Sequence, residues 1–302
     1  GQWKWHTGPI LSSDFYLGET YDARLELPGW DQPGFDDGEW PPCRELDHPL
    51  DLLVAQEGIP ARAQELLKPI AVLKTPRGET VLDMGQNMVG IMRFTVEGPA
   101  GHTLSLRHAE VLDQDGNFYT GNLRRADPHF TVTLKGGRAS YEPAFTHMGF
   151  RYVRLENWPC PVDPDDFTGV VIHSDLERTG DFACSDPMVN QLYHNVVWGQ
   201  KGNFVDVPTD CPQRDERLGW TGDAQAFIRT ACFNMSSAPL FTKWLHDLKL
   251  DQRADGAVPH VVPNVLGEQN CGSSAWGDAA TICPWTLYSC YGDRRILEQQ
   301  YS

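Results

Sequence analysis

Between positions 206 and 225 the chain reads DVPTDCPQRDERLGWTGDAQ, which sets five carboxylates, two arginines and a tryptophan within twenty residues. Asp210, Asp215, Glu216 and Asp223 are close enough in sequence to converge in space. Clustered carboxyl groups raise one another's pKa, while Arg214 and Arg217 can hold chosen members ionised. One site can then contain a protonated acid and a charged carboxylate at neutral pH, the pairing that general acid–base chemistry needs. Trp220 offers an apolar face on which a sugar ring can lie. The same residue types have a plainer reading. Acids beside arginines commonly form a solvated ion-pair network worth little, and Asp223 can sit in the first turn of a helix capped by Thr221, where negative charge is favoured. No histidine falls within the stretch, which counts against a metal centre.

The loop needs a scaffold. Pro208 and Pro212 obstruct helix continuation, and Gly219 and Gly222 permit backbone paths that other residues avoid, so the segment is shaped rather than slack. Upstream, from about 70 to 172, runs such as VLDMG, IMRFTVEG, HTLSLRHAEVL, HFTVTLKGG, RYVRLEN and FTGVVIHS alternate apolar and polar residues. Turn signals (EGPAGH, DQDGN, KGGR) separate them, which predicts a β-sandwich. Residues 1–60 are rich in Trp, Gly, Pro and Asp with short extended pieces such as YDARLEL. After DLERTGDF the pattern becomes helical. Ser185-Asp186-Pro187 starts a helix carrying Met188, Leu192 and Val196, and a second covers Asp223–Asn234. A third begins at Pro239 with Phe241, Trp244, Leu245 and Leu248 on one side, and a fourth runs through Trp276–Tyr291 to Gly292. The expected division is 1–60, the end of a β-domain plus linker; 61–174, a β-sandwich; and 175–302, an all-α part.

A net charge of −16 over 302 residues argues against nucleic acid and anionic membrane surfaces as partners, and suits neutral ligands such as sugars. Apolar runs fall far short of a membrane span. Eight cysteines are scattered with no C-x-x-C, so a metal or disulfide framework is weakly supported and a reduced, cytoplasmic chain is expected. No secretory signal is visible, although Gly1 can follow a processing site.

The run VPTDCPQRDERLGWTGDAQ resembles the signature segment of the inverting α-L-rhamnosidases, glycoside hydrolase family seventy-eight. CSDPMVNQLYHNVVWGQKGNF before it and SSAWGDAATICPWTLYSCYGD after it resemble flanking helices of the same catalytic domain. LVAQEGIPARAQELLKPI and YEPAFTHMGFRYVRLENW resemble the family's β-sandwich, and GETYDARLELPGW with PGFDDGEW the end of an earlier β-domain, so the likeness covers essentially the whole chain. The resemblance implies a multidomain protein whose β-sandwich modules precede an (α/α)6 toroid of six helical hairpins. It implies Glu216 as the general acid, Asp210 and Asp223 as carboxylates holding rhamnose hydroxyls, Arg214 as a further substrate contact and Trp220 as a wall of the pocket. Asp215 is expected to support the acid without touching the sugar. Trp276 and Asp278 resemble cavity-lining positions, with core packing equally open for Trp276. Trp244, His147 and His173 are read as structural.

Glycoside hydrolysis with inversion needs a second carboxylate across the anomeric carbon, roughly 6.5–9.5 Å from the acid, to activate water. The resemblance places that base in a glutamate far downstream. Only four or five helices follow residue 180, where six hairpins need twelve, so an incomplete toroid is expected. The 302 residues are then read as an internal part of a longer enzyme, inactive alone. No cofactor or metal is called for. The expected partner is a rhamnosylated glycoside or oligosaccharide, and association into an oligomer is left open. A rhamnose-binding protein without catalysis, another (α/α)6 glycosidase and a polysaccharide lyase are the competing readings, and acids in place of a Tyr or His base count against the lyase.

Overall fold

A computed structural model describes residues 3–301; Gly1, Gln2 and Ser302 lie outside the described residues. The chain opens with an antiparallel hairpin, β1 (Ile10–Asp14) and β2 (Gly18–Asp22), followed after a long irregular stretch by β3 (Ala61–Leu67) and β4 (Ala71–Lys74). Then come β5 (Thr80–Gly98), β6 (Thr103–Ala109), β7 (His129–Thr133), β8 (Gly137–Tyr141), β9 (Met148–Glu156) and β10 (Phe167–Ser174). Their hydrogen-bonded order is β1-β2-β7-β6-β9-β5-β10-β3, with β4 and β8 also on β5. Strands β7 and β5 stand three steps apart, roughly 14 Å if the sheet were flat. Yet the rings of Phe130 on β7 and Phe94 on β5 lie 5.9 Å apart, so the sheet folds back on itself around a shared core. Phe94, Phe130, Phe150 and Phe167 are fully buried there.

Two expectations need correction. VLDMG and IMRFTVEG read as separate strands, but β5 runs through both, with an irregularity in its pairing to β9 between Asp83 and Met88. Gly85 at φ 73° takes up the bend, and the Asp83 carboxylate accepts its N–H at 2.7 Å, so the ladder survives the interruption. YDARLEL is extended only at its start. The Asp22 carboxylate accepts the Arg24 N–H at 3.1 Å and turns Ala23–Leu25 into a short 3-10 helix. The first hairpin joins the same sheet, with β2 paired in parallel to β7 and Tyr21 opposite Val132. Buried Glu19 fastens it to the segment between β8 and β9 by accepting the N–H groups of Ala144 and Phe145 at 3.1 and 3.0 Å.

The helices begin where their start signals stand. In α1 (Pro187–Asn203), Asp186 caps the Met188 N–H at 2.8 Å and proline occupies the first turn. After the short pair β11 (Phe204–Val205) and β12 (Val207–Pro208) come α2 (Thr221–Asn234), α3 (Ala238–Asp251) and α4 (Ala279–Tyr291), the last closed by left-handed Gly292. A further helix, α5 (Arg294–Gln300), capped by Asp293, had no counterpart in the sequence reading. On α3 the four anticipated side chains, Phe241, Trp244, Leu245 and Leu248, all enter the helical core. On α1 the apolar spacing faces outward instead, with Met188 80% and Leu192 61% exposed, while Val197, Gln200 and Gly202 are buried. No helix among the described residues is long and apolar enough to cross a membrane.

Candidate active site

The acidic segment joins β12 to α2 as a closed loop. Asp210 and Leu218 pair at its neck, the Asp210 N–H donating to the Leu218 carbonyl at 3.1 Å and the Leu218 N–H to Asp210 Oδ1 at 3.0 Å. At the tip the Glu216 N–H returns to the Arg214 carbonyl at 2.8 Å, and Arg217 adopts φ 49°. Gly219 then passes against the 262 backbone: a Cβ there would stand 2.2 Å from the Val262 carbonyl oxygen, and that closeness lets the Val262 N–H bond the Gly219 carbonyl at 2.9 Å. Trp244 Nε1 donates to the same Val262 carbonyl at 3.2 Å, so the loop's exit is anchored to the helical core.

Within this frame the charges are ordered. The Arg214 guanidinium donates to Glu216 Oε2, Nε at 2.9 Å and Nη2 at 2.8 Å, and stands 3.6 Å from Asp210 Oδ2. Asp210, Glu216 and the Cys211 sulfur present ligand atoms within 4.8 Å of one another. Burial pushes the Asp210 carboxyl above its usual value, and the Glu216 charge adds to the effect while Cys211 and the Leu218 N–H oppose it. Burial and Asp210 together push the Cys211 thiol up to about 12, in keeping with a protonated thiol that hydrogen-bonds Asp210. With Arg214 supplying the positive charge, these donors make a poor metal cage. Burial also raises Asp223, in the first turn of α2, with Glu216 again contributing. Thr221 does not cap that helix; its hydroxyl turns to the carbonyls of Pro259 and His260.

Asp210 and Asp223 line one cavity of ≈ 350 Å³, with Phe204 and Phe227, whose rings meet edge to face at 6.1 Å, on its apolar side. Carboxylates beside aromatic carbon suit a sugar, which presents hydroxyl edges and C–H faces. Trp220, Trp276 and Asp278 are not part of this lining. Trp220 pairs with Val261 by an isolated β-bridge, and its indole Nε1 is buried without a hydrogen-bond partner. Trp276 lies over Gly222, where a Cβ would come 3.0 Å from its Nε1, so it packs beside Asp223 on the first turn of α2. Asp278 accepts the Ala275 N–H at 3.0 Å and shapes the turn carrying Trp276.

Arg217 does not hold the acids. It donates to the His147 carbonyl at 2.7 Å and lies over the Tyr16 ring, and burial lowers its pKa to about 10. Besides Arg214, the cations that meet them come from the segment between β6 and β7 and were not anticipated. Arg124 Nη1 donates to Glu216 Oε2 at 2.8 Å and its Nε stands 3.3 Å from Asp215 Oδ1, while Arg125 takes Asp215 Oδ2 at 3.3 Å. The Tyr16 hydroxyl donates to the Glu216 backbone carbonyl at 2.7 Å. Nothing in LRRAD or DFYLG advertised these contacts, since neither segment carries a periodic or motif signal.

A folded-back β-sheet is thus followed by packed helices, with a loop of acids beside an apolar-walled cavity. Comparison with known proteins identifies the family. Residues 1–65 match the α-L-rhamnosidase N-terminal domain, 73–173 the bacterial α-L-rhamnosidase concanavalin-like domain, and 177–302 the bacterial α-L-rhamnosidase 6 hairpin glycosidase domain. The chain belongs to the α-L-rhamnosidase family. It is 49% identical over 297 residues to an α-L-rhamnosidase of Streptomyces avermitilis and 41% identical over 308 residues to one of Formosa agariphila. These alignments cover 98% and 99% of this chain but 29% and 33% of those proteins, so the chain spans about a third of the curated relatives it matches. The crystal structure of the Streptomyces avermitilis enzyme complexed with L-rhamnose superposes with a TM-score of 0.94 at 48% identity, over 98% of this chain and 29% of that one. The native enzyme of Aspergillus terreus gives 0.92 at 45%, over 98% and 35%.

Proposed function

We propose that this chain forms part of an enzyme that hydrolyses terminal α-L-rhamnose from glycosides with inversion at the anomeric carbon. The observation that carries the proposal is the carboxylate–guanidinium cluster of Asp210, Arg214 and Glu216, with Asp210 facing the same cavity as Asp223. In this reading Glu216 protonates the departing glycosidic oxygen, and Asp210 and Asp223 grip hydroxyls of the sugar. Arg214 fixes the acid and adds a substrate contact, and Asp215 holds the loop. Trp220 and Trp276, with Asp278 shaping the latter's turn, shield the site from the helical side. Asp210 lies too near Glu216 for a water to fit between them as inversion requires, since their oxygens fall within 4.8 Å against roughly 6.5–9.5 Å. The activating base is therefore assigned to a carboxylate other than Asp210.

The outward apolar face of α1 supports the companion proposal that the helices from 175 onward are the first members of an (α/α)6 toroid. In the same proposal 61–174 is a sandwich domain and 1–60 the end of a preceding β-domain.

The test is hydrolysis of an aryl α-L-rhamnoside by the natural full-length enzyme, its Glu216→Gln variant and residues 1–302 alone, with NMR of the first-formed rhamnose anomer. Turnover by the full enzyme, its loss of at least about 100-fold in Glu216→Gln, and absence of turnover in residues 1–302 are expected. Full activity in a folded Glu216→Gln refutes the role of the acid, and product of retained configuration refutes inversion.

A further inference from the structure

The sandwich contributes more than attachment. Arg124 follows a 3-10 turn at Gly121–Leu123 and has φ 59° and ψ −112°, a sparsely populated conformation for a residue with a Cβ. It is held there because Leu123 beneath it is buried and the Ala126 N–H returns to the Leu123 carbonyl at 3.0 Å. From this position one guanidinium reaches two successive carboxylates of the acidic loop, Asp215 through Nε and Glu216 through Nη1. Arg214 approaches the same oxygen of Glu216, Oε2, from the loop itself. Arg125 closes the second oxygen of Asp215, and Tyr16 holds the Glu216 backbone from the first hairpin.

We infer that Arg124 is a positioning residue for the reaction, fixing Glu216 so that Oε2 accepts from two guanidinium groups and Oε1 is the oxygen left to deliver the proton. The inference rests on the reading of Glu216 as general acid. A protonated carboxyl keeps a carbonyl oxygen that can still accept hydrogen bonds, so the clamp on Oε2 is compatible with a proton on Oε1. During donation the Oε1–H bond breaks as the leaving oxygen takes the proton, and the negative charge spreads over a carboxylate already faced by Arg124 and Arg214. A lysine cannot replace this contact in full, because a point charge lacks the planar fork that spans Asp215 and Glu216 together.

The dependence on leaving group separates positioning of the acid from general damage. A nitrophenolate departs with little help from a proton, whereas an alkoxide needs one. In the full-length enzyme Arg124→Met is expected to lower kcat on an alkyl α-L-rhamnoside roughly 10- to 100-fold with KM little changed, and kcat on the nitrophenyl rhamnoside less than about 3-fold. Arg124→Lys should restore part of the alkyl rate. Arg125→Met, which removes a contact to Asp215 alone, should have the smaller effect. Equal losses on both substrates, or none on either, overturn the inference. So does a crystal structure of Arg124→Met in which Glu216 keeps its place and orientation. If the wild-type enzyme hydrolyses neither rhamnoside, the failure lies with the proposed function, and that crystal structure still decides whether Arg124 positions Glu216.

Discussion

Replacing Gly219 by alanine should loosen the acidic loop from its helical anchor without touching any charge. The added Cβ would stand 2.2 Å from the Val262 carbonyl oxygen and 3.1 Å from Trp244 Nε1, and neither is the free end of a flexible side chain. The 262 backbone must retreat by most of an ångström. That movement strains or breaks the hydrogen bond from the Val262 N–H to the Gly219 carbonyl and the one from Trp244 Nε1 to the Val262 carbonyl, both at fully buried residues. Each is worth about 1 kcal/mol, and overpacking adds about 1–3 kcal/mol, so the variant should lose about 2–5 kcal/mol. The helical unit is the part affected, and its thermal transition should fall by roughly 5–15 °C. Scanning calorimetry of wild type and variant at neutral pH measures it. Rhamnoside turnover below that transition should fall as well, because Trp220 and the neck at Leu218 move with the backbone. A transition within about 1 °C of wild type would show that the 219–262 contact does not hold the loop, and the anchoring argument would fail.

Two further outcomes can be checked with the same equipment. Gly199 lies inside α1 and borders the cavity of Asp210 and Asp223, and a Cβ there would meet nothing within 4 Å; Gly199→Ala should stabilise the fold by about 0.5–1 kcal/mol while raising the KM for rhamnosides, and a KM unchanged or lowered would deny that the cavity receives the sugar. His108 is buried against Phe150, with Nδ1 at 3.0 Å from the Pro128 carbonyl and Nε2 without a partner, and burial lowers its pKa to about 4. Unfolded it binds its proton near ~6.5, so stability present above that value should decline as pH falls towards about 4, by about 2–3 kcal/mol for this group alone. Denaturation at pH 7.5 and 4.5 should show a smaller drop in His108→Gln than in wild type; equal drops would remove His108 as a cause.

Local signals carried most of the helical reading. Ser185-Asp186-Pro187 opens α1, and Phe241, Trp244, Leu245 and Leu248 repeat at a spacing that only one buried helix face satisfies, because caps and periodicity act over four or so residues. The strands were recognisable, but not their continuity, since a glycine at φ 73° ends a strand in one context and bends it in another. The parallel pairing of β2 with β7 joins residues more than a hundred positions apart, beyond any local pattern. At the site, the convergence of Asp210, Arg214 and Glu216 followed from their closeness in sequence and the turn chemistry between them. Their outside partners did not: Arg124 lies 92 residues from Glu216 and Tyr16 200 residues. Charge alone also misjudged Arg217, whose left-handed backbone turns its guanidinium away from its neighbours towards His147.

Those long-range partners explain why a cluster of carboxylates can work on a segment with no regular structure. A loop positions chemistry only when a rigid surround holds it, and this one is held from three sides. The hairpin grips the Glu216 backbone through Tyr16, itself set by the Asp14 carboxylate accepting the Tyr16 and Leu17 N–H groups at 2.7 and 2.9 Å. The sandwich grips the Glu216 side chain through Arg124 and receives Pro212 against Gly149, where a Cβ would stand 3.0 Å from the proline ring. The helices hold the exit at Gly219. Under the proposed role of Glu216 as the acid, selection on the 121–126 turn should follow that role, because the Arg124 held there at φ 59° contacts the Glu216 carboxylate at 2.8 Å.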